Sequence, residues 1–148
     1  MKGFPDLPPL WLVLFLVLNW GFAKAGPTLH VDTTSTVLSW GLIGIGLGLI
    51  GWSAFWFWRR KTTIEPHHAP QKLIVEGPYS LSRNPIYLGM AIILLGAIIG
   101  RGQPLCLILL ATFVWVLTRR FIIPEEAALR AAFGAPAEQY LAATRRWL

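Results

Sequence analysis

Four long apolar runs dominate this chain, at Pro8–Phe22, Val37–Trp58, Ile86–Gly100 and Leu105–Ile123. Each approaches or reaches the roughly 20 residues that a helix needs to cross a ~30 Å hydrocarbon core. Inside such a core no water satisfies backbone N–H and C=O groups, so the runs must be helices. With 148 residues, 55% of them hydrophobic and only 14% charged, the chain is too apolar for an ordinary soluble domain. The expected fold is an all-α integral membrane protein in one domain. Four transmembrane helices are expected near 8–23, 37–58, 85–100 and 105–123, with a loop over 59–84 and a tail over 124–148. The first and third helices are short.

The first run has a rival reading. Lys2, the stretch Leu10–Leu18 and the triplet Ala23, Lys24, Ala25 imitate a signal peptide with its small-residue cleavage site. Asp6 and the Pro8-Pro9 pair favour a retained helix.

Basic residues orient the bundle. Four crossings put the N-terminus, the 59–84 loop and the tail on one side, with Lys2, Arg59, Arg60, Lys61, Lys72, Arg83, Arg119, Arg120, Arg130, Arg145 and Arg146. Only Lys24 and Arg101 fall on the other. This asymmetry places both termini in the cytoplasm. The net charge of +6 then serves orientation and attraction to anionic lipid, with no need of nucleic acid.

Several patterns have ordinary explanations. The stretch Gly46–Gly51 matches a dinucleotide fingerprint, but no strand precedes it and no acidic residue follows where a ribose partner belongs. Gly44 and Gly48 have the spacing that lets membrane helices approach closely, and they offer a homodimer face. Trp52, Phe55, Trp56, Phe57 and Trp58 just before Arg59 resemble an interfacial aromatic belt. Cys106 is the sole cysteine and has no partner for a disulfide. His67 and His68 are adjacent in an extended segment and point apart, so no metal site is expected; a loop histidine with a substrate or cofactor role fits better.

"SRNPIYLG" (82–89) is harder to dismiss. A membrane boundary needs only a polar stop, yet this one brings together a guanidinium, a carboxamide, a helix-starting proline and a phenol. The free N–H groups of the helix beginning there could hold a carboxylate. A snorkelling turn would account for the same residues.

The tail adds Pro124 followed by Glu125 and Glu126. Acidic residues in a first turn favour the helix dipole, and Glu126 can pair with Arg130 at i+4. Facing a pocket shared with Arg83 and Tyr87, the two carboxylates would instead suit a cationic ligand or a ribose diol.

"GPYSLSRNPIYLG" followed by "EEAALRAAFGAPAEQYLAATRRWL", with "TTIEPHHAPQKLIVEGPY" leading in, resembles the isoprenylcysteine carboxyl methyltransferase and phospholipid N-methyltransferase superfamily, particularly its small bacterial members. The likeness spans about Thr62 to Trp147. It implies a bacterial inner-membrane methyltransferase with S-adenosylmethionine as donor and a lipid-like acceptor entering from the bilayer. The cofactor would bind at the cytoplasmic end, lined by Leu73, Val75, Tyr79, Arg83, Asn84 and Tyr87 and completed by Glu125 and Glu126. Arg83, Glu125 and Glu126 are the candidates for the catalytic role. Asn84 stands where the eukaryotic carboxyl methyltransferases carry His. Two other readings are a sterol-reductase-like NADPH enzyme, which has a similar Arg-x-Pro-x-Tyr segment, and a small non-enzymatic membrane scaffold.

Overall fold

A computed structural model describes residues 7–22, 28–60 and 73–148. His67 and His68 lie outside those residues, as do Lys2, Asp6 and Lys24. Among the described residues the structure is helical throughout: α1 (Pro8–Phe22), α2 (Thr33–Arg60), α3 (Pro85–Gly100), α4 (Leu107–Leu117), α5 (Ile123–Phe133) and α6 (Ala135–Ala143). Two helical stretches, Thr33–Arg59 and Pro104–Phe133, are long and apolar enough to cross a membrane. The apolar helices α1 and α3 have 15 and 16 residues. At 1.5 Å per residue they reach only about 22–24 Å, short of a ~30 Å core.

Direction alternates along the chain. Ser39 of α2 meets Gly96 and Gly100 of α3, while Gly46 and Ile50 meet Gly89, so α2 and α3 are antiparallel. Phe15 of α1 packs on Phe113 of α4, with ring centroids 5.2 Å apart. Helix α3 lies at the centre, with Leu94 and Ile98 essentially inaccessible. One end of the bundle, called here the site end, holds the start of α3 and the tail. At the far end the Leu29 N–H donates to Gly102 O at 2.7 Å, tying the approach to α2 to the α3–α4 link.

Glycine permits the α2–α3 contact, though not at the positions the spacing suggests. A Cβ on Gly89 would stand 2.7 Å from Gly46 O, and one on Gly46 would stand 2.6 Å from Gly89 O; both neighbours are rigid backbone. Among the described residues Gly44 and Gly48 meet nothing within 4 Å, so their close-approach pattern serves no contact there. Gly89→Ala is therefore expected to push α2 from α3, costing about 1–3 kcal/mol and roughly 2–10 °C of melting temperature in detergent. Gly44→Ala should leave the melting temperature unchanged or raise it, because alanine is the better helix former. Equal losses from the two variants would contradict this packing.

The fourth apolar run does not end at Ile123 with a new helix starting at Pro124. Helix α4 runs on through a π-helical turn, Thr118–Ile122, directly into α5. Pro124 has no N–H to give Arg120 O, and the wider turn accommodates it while the Ile123 N–H donates back to Thr118 O. The acidic pair is thus carried on a helix continuous with the membrane segment.

The aromatic run at the end of α2 divides by helical phase. Trp52, Phe55 and Trp58 are exposed, as a belt requires. Trp56 and Phe57 turn inward onto the following segment, against Gly77 and Tyr79 respectively. Gly77 has φ +63°, and the Trp56 indole occupies the space a Cβ would need, so only glycine fits that turn.

Candidate functional site

Pro85 fixes the start of α3 and restricts the residue before it. Asn84 accordingly has φ −130° and ψ 57° and sits at the helix N-cap. A cap asparagine ordinarily accepts an N–H from the first turn. Asn84 makes no such bond; its Nδ2 donates to Arg146 O at 3.0 Å. Ser82 Oγ donates to the same carbonyl at 3.3 Å, and the Arg83 N–H donates to Arg145 O at 2.9 Å. The polar half of "SRNPIYLG" therefore grips the backbone of the tail some sixty residues on.

The tail grips back through side chains. Arg146 meets Glu126 with two parallel hydrogen bonds, Nε to Oε1 at 2.9 Å and Nη2 to Oε2 at 2.8 Å. Arg83 Nη1 lies 3.3 Å from Glu126 Oε1. The Glu126 side chain is 7% exposed, so one carboxylate faces two guanidiniums with little water. Such forks combine charge with fixed geometry. Bonding to Glu126 raises the Arg146 guanidinium above its already high ordinary value. The i+4 partner expected from sequence, Arg130, instead bonds Glu138 at 3.0 Å on the open surface, where a pair contributes little.

Glu125 points elsewhere. One residue along a helix turns a side chain by about 100°, which separates adjacent carboxylates. Glu125 is half-buried and accepts a hydrogen bond from the Tyr87 hydroxyl at 2.5 Å. Among the described residues no cation pairs with it. Tyr87 is itself buried, its ring 6.2 Å from that of Phe121 in the π-helical turn.

A second cluster closes the site from the loop side. Ile74, Tyr79, Tyr140 and Leu141 are buried together, with Leu73 and Phe57 packed against them. The Phe57 and Tyr79 rings meet edge to face at 5.6 Å. The Tyr140 hydroxyl donates to Tyr79 O at 2.9 Å. Burial pushes the Tyr79 phenol far above its usual range, aided by nearby Tyr140 and Glu125 and partly offset by hydrogen bonding with Ser53. Burial likewise takes Tyr140 up to about 12, with Arg83 working against it. Both phenols stay protonated at neutral pH, and the Tyr140 hydroxyl acts as a donor.

Of the residues singled out from sequence, Arg83, Asn84, Tyr87, Glu125 and Glu126 thus meet at one end of the bundle. Tyr79 and Leu73 belong to the adjoining cluster. Val75 is 41% exposed. Arg146, Ser82 and Tyr140 were not anticipated as site residues. Arg146 reads in sequence as one more orienting charge, and only the unusual demand of an acidic pair beside an apolar run hints that a cation must return to it.

No curated protein and no solved structure matches the chain. The family model for phospholipid methyltransferases does match, over residues 34–136, from the start of α2 into α6. That span takes in "SRNPIYLG" and both glutamates and covers well over half of the chain, and the protein therefore belongs to the phospholipid methyltransferase family.

Proposed function

We propose that this protein transfers a methyl group from S-adenosylmethionine to a lipophilic acceptor reached from the bilayer, at the end of the bundle where α3 starts and the tail returns. The observation that carries this reading is the division of labour between the adjacent glutamates. Glu126 is occupied by Arg146 and Arg83, whereas Glu125 presents a half-buried carboxylate held by a phenol rather than a cation. A carboxylate so placed is free to accept hydroxyls of a ribose or to face a positive charge. Arg83 adds a donor of the opposite kind, since its Nε is buried and has no hydrogen-bond partner among the described residues. An unmade bond at a buried polar atom is costly, which suits a group that a ligand carboxylate completes.

The residue inventory fits the cofactor. Arg83 would take its carboxylate, Glu125 its ribose hydroxyls, and the Tyr79 and Tyr87 rings would lie near its cationic portion. When bound, S-adenosylmethionine supplies an electrophilic methyl on a sulfonium, and the transfer demands alignment and exclusion of water. The protein meets those demands by fixing Arg83 at both its backbone and its Nη1 and by burying Tyr87 beside Glu125. Four crossings with both termini in the cytoplasm would give the site cytoplasmic cofactor and membrane acceptor together.

Thermal unfolding in neutral detergent tests the reading. S-adenosylhomocysteine at about 100 times its dissociation constant should stabilise the protein by about 2.7 kcal/mol, or roughly 5–10 °C. NADPH at the same concentration should not. A shift with NADPH alone would favour the reductase reading, and no shift with either would favour a scaffold.

A further inference from the structure

Far from the glutamates, a polar side chain stands where the bilayer offers it nothing. Asn19 lies on α1 at 1% exposure, among residues that are otherwise apolar. Its Nδ2 donates to Ala97 O across a long 3.4 Å, and its Oδ1 is buried with no partner among the described residues. An acceptor left unmade in a membrane helix is costly, and such residues commonly mark a ligand pathway.

Asn19 lines a groove of about 360 Å³ between α1 and α3, walled by Val13, Leu16, Val17, Trp20 and Ala97 and topped by Arg101. Ala97 lies about 18 Å from the start of α3, at 1.5 Å per residue, so the groove is separate from the candidate active site. A wider cavity of about 670 Å³ runs along the opposite flank of the same turn, between α2 and α3. It places no comparable demand on a ligand, because its Thr36 and Ser39 hydroxyls already donate to Asp32 O and Gly96 O.

Three chemical features of the groove are ordered along one line. Arg101, exposed at the C-terminus of α3, offers a cation at the boundary. Asn19 Oδ1 lies within about one helical turn of it on the hydrocarbon side, and requires a donor. Val13, Leu16 and Val17 continue inward as an apolar wall. A diacyl phospholipid matches the first and third features but has only ester oxygens, all acceptors, at the level of Asn19. A lysophospholipid carries a free glycerol hydroxyl there, between its phosphate and its single acyl ester. We propose that the α1–α3 groove binds a single-chain phospholipid, with phosphate on Arg101, the acyl chain along Val13, Leu16 and Val17, and the Asn19 amide turning out of its buried position, against only the long bond to Ala97 O, so that Oδ1 accepts the glycerol hydroxyl.

The test is a titration of the full chain, in a neutral maltoside detergent, with 1-palmitoyl lysophosphatidylglycerol, its 2-deoxy analogue and dipalmitoyl phosphatidylglycerol. Wild-type protein should bind the hydroxylated lysolipid about tenfold more tightly than either of the others, as one hydrogen bond to a buried acceptor predicts. Asn19→Leu should abolish the preference for the hydroxyl by bringing the lysolipid and its deoxy analogue to one affinity. Arg101→Gln should weaken both alike. Equal wild-type affinities for the lysolipid and its deoxy analogue would overturn the proposal, as would tighter binding of the diacyl lipid or a preference that survives in Asn19→Leu. Should that variant not fold, the wild-type comparison decides by itself.

Discussion

Glu125→Gln is expected to weaken S-adenosylhomocysteine binding by roughly tenfold to more than a hundredfold, while the melting temperature of the unliganded protein barely moves. Glutamine still accepts the Tyr87 hydroxyl through its carbonyl oxygen, so the contact that positions residue 125 survives. What is lost is the second acceptor oxygen, which an amide donor replaces. Leaving a buried ligand hydroxyl without its acceptor costs about 1.5–3 kcal/mol, which sets the expected range. Isothermal titration of detergent-solubilised protein measures it. Arg130→Gln, which removes only the exposed bridge to Glu138, is the control and should leave both affinity and stability unchanged. A wild-type dissociation constant for Glu125→Gln would remove Glu125 from the ligand site and with it the principal support for the proposed function.

The neighbouring glutamate should behave in the opposite way. Glu126→Leu is expected to cost about 3–5 kcal/mol of stability, because it leaves the buried Arg83 guanidinium facing no counter-charge. The Arg83 side chain is 14% exposed and cannot rehydrate in place, whereas Arg146 at 37% can turn to water, so the lower part of the range is favoured. The melting temperature should fall by roughly 6–15 °C. Release of the tail should also expose the bonds after Arg145 and Arg146 to trypsin, since the carbonyls there are now held by Arg83, Asn84 and Ser82. Arg146→Leu combined with Glu126→Leu should be less destabilising than the sum of the two single changes, as required of partners in one network. Additive losses with an unchanged trypsin pattern would mean that the fork does not hold the tail.

The two expectations differ because the structure gives adjacent, chemically identical residues different surroundings. From sequence alone Glu126 is the better candidate for a ligand, on the ground that Arg130 one turn later can steady it. Arg130 turns to Glu138, and the two guanidiniums that occupy Glu126 come from Arg83 and Arg146, leaving Glu125 without a cation among the described residues. The i+4 rule states which residues are near on a helix; it does not say which nearer partner will arrive from another segment.

What the sequence determined by itself rests on local physics. Long apolar runs dictate helices, two of them long and apolar enough to cross a membrane, Pro85 dictates where α3 starts, and the chemical density of "SRNPIYLG" beside an acidic pair singles out the end of the bundle for which a site is proposed. Tertiary structure alone decided the pairings: Asn84 with Arg146 rather than with its own helix, Gly46 with Gly89 rather than Gly44 with Gly48, and Trp56 over Gly77 rather than in the lipid belt. The same is true of Asn19, whose place in the apolar first run gives no sign that its amide meets Ala97 O beside a groove. Each of these depends on the rotation and register of one helix against another. In helices as uniformly apolar as these, no hydrophobic stripe specifies rotation, which is left to small residues and a few polar atoms that reveal their partners only once the chain has folded.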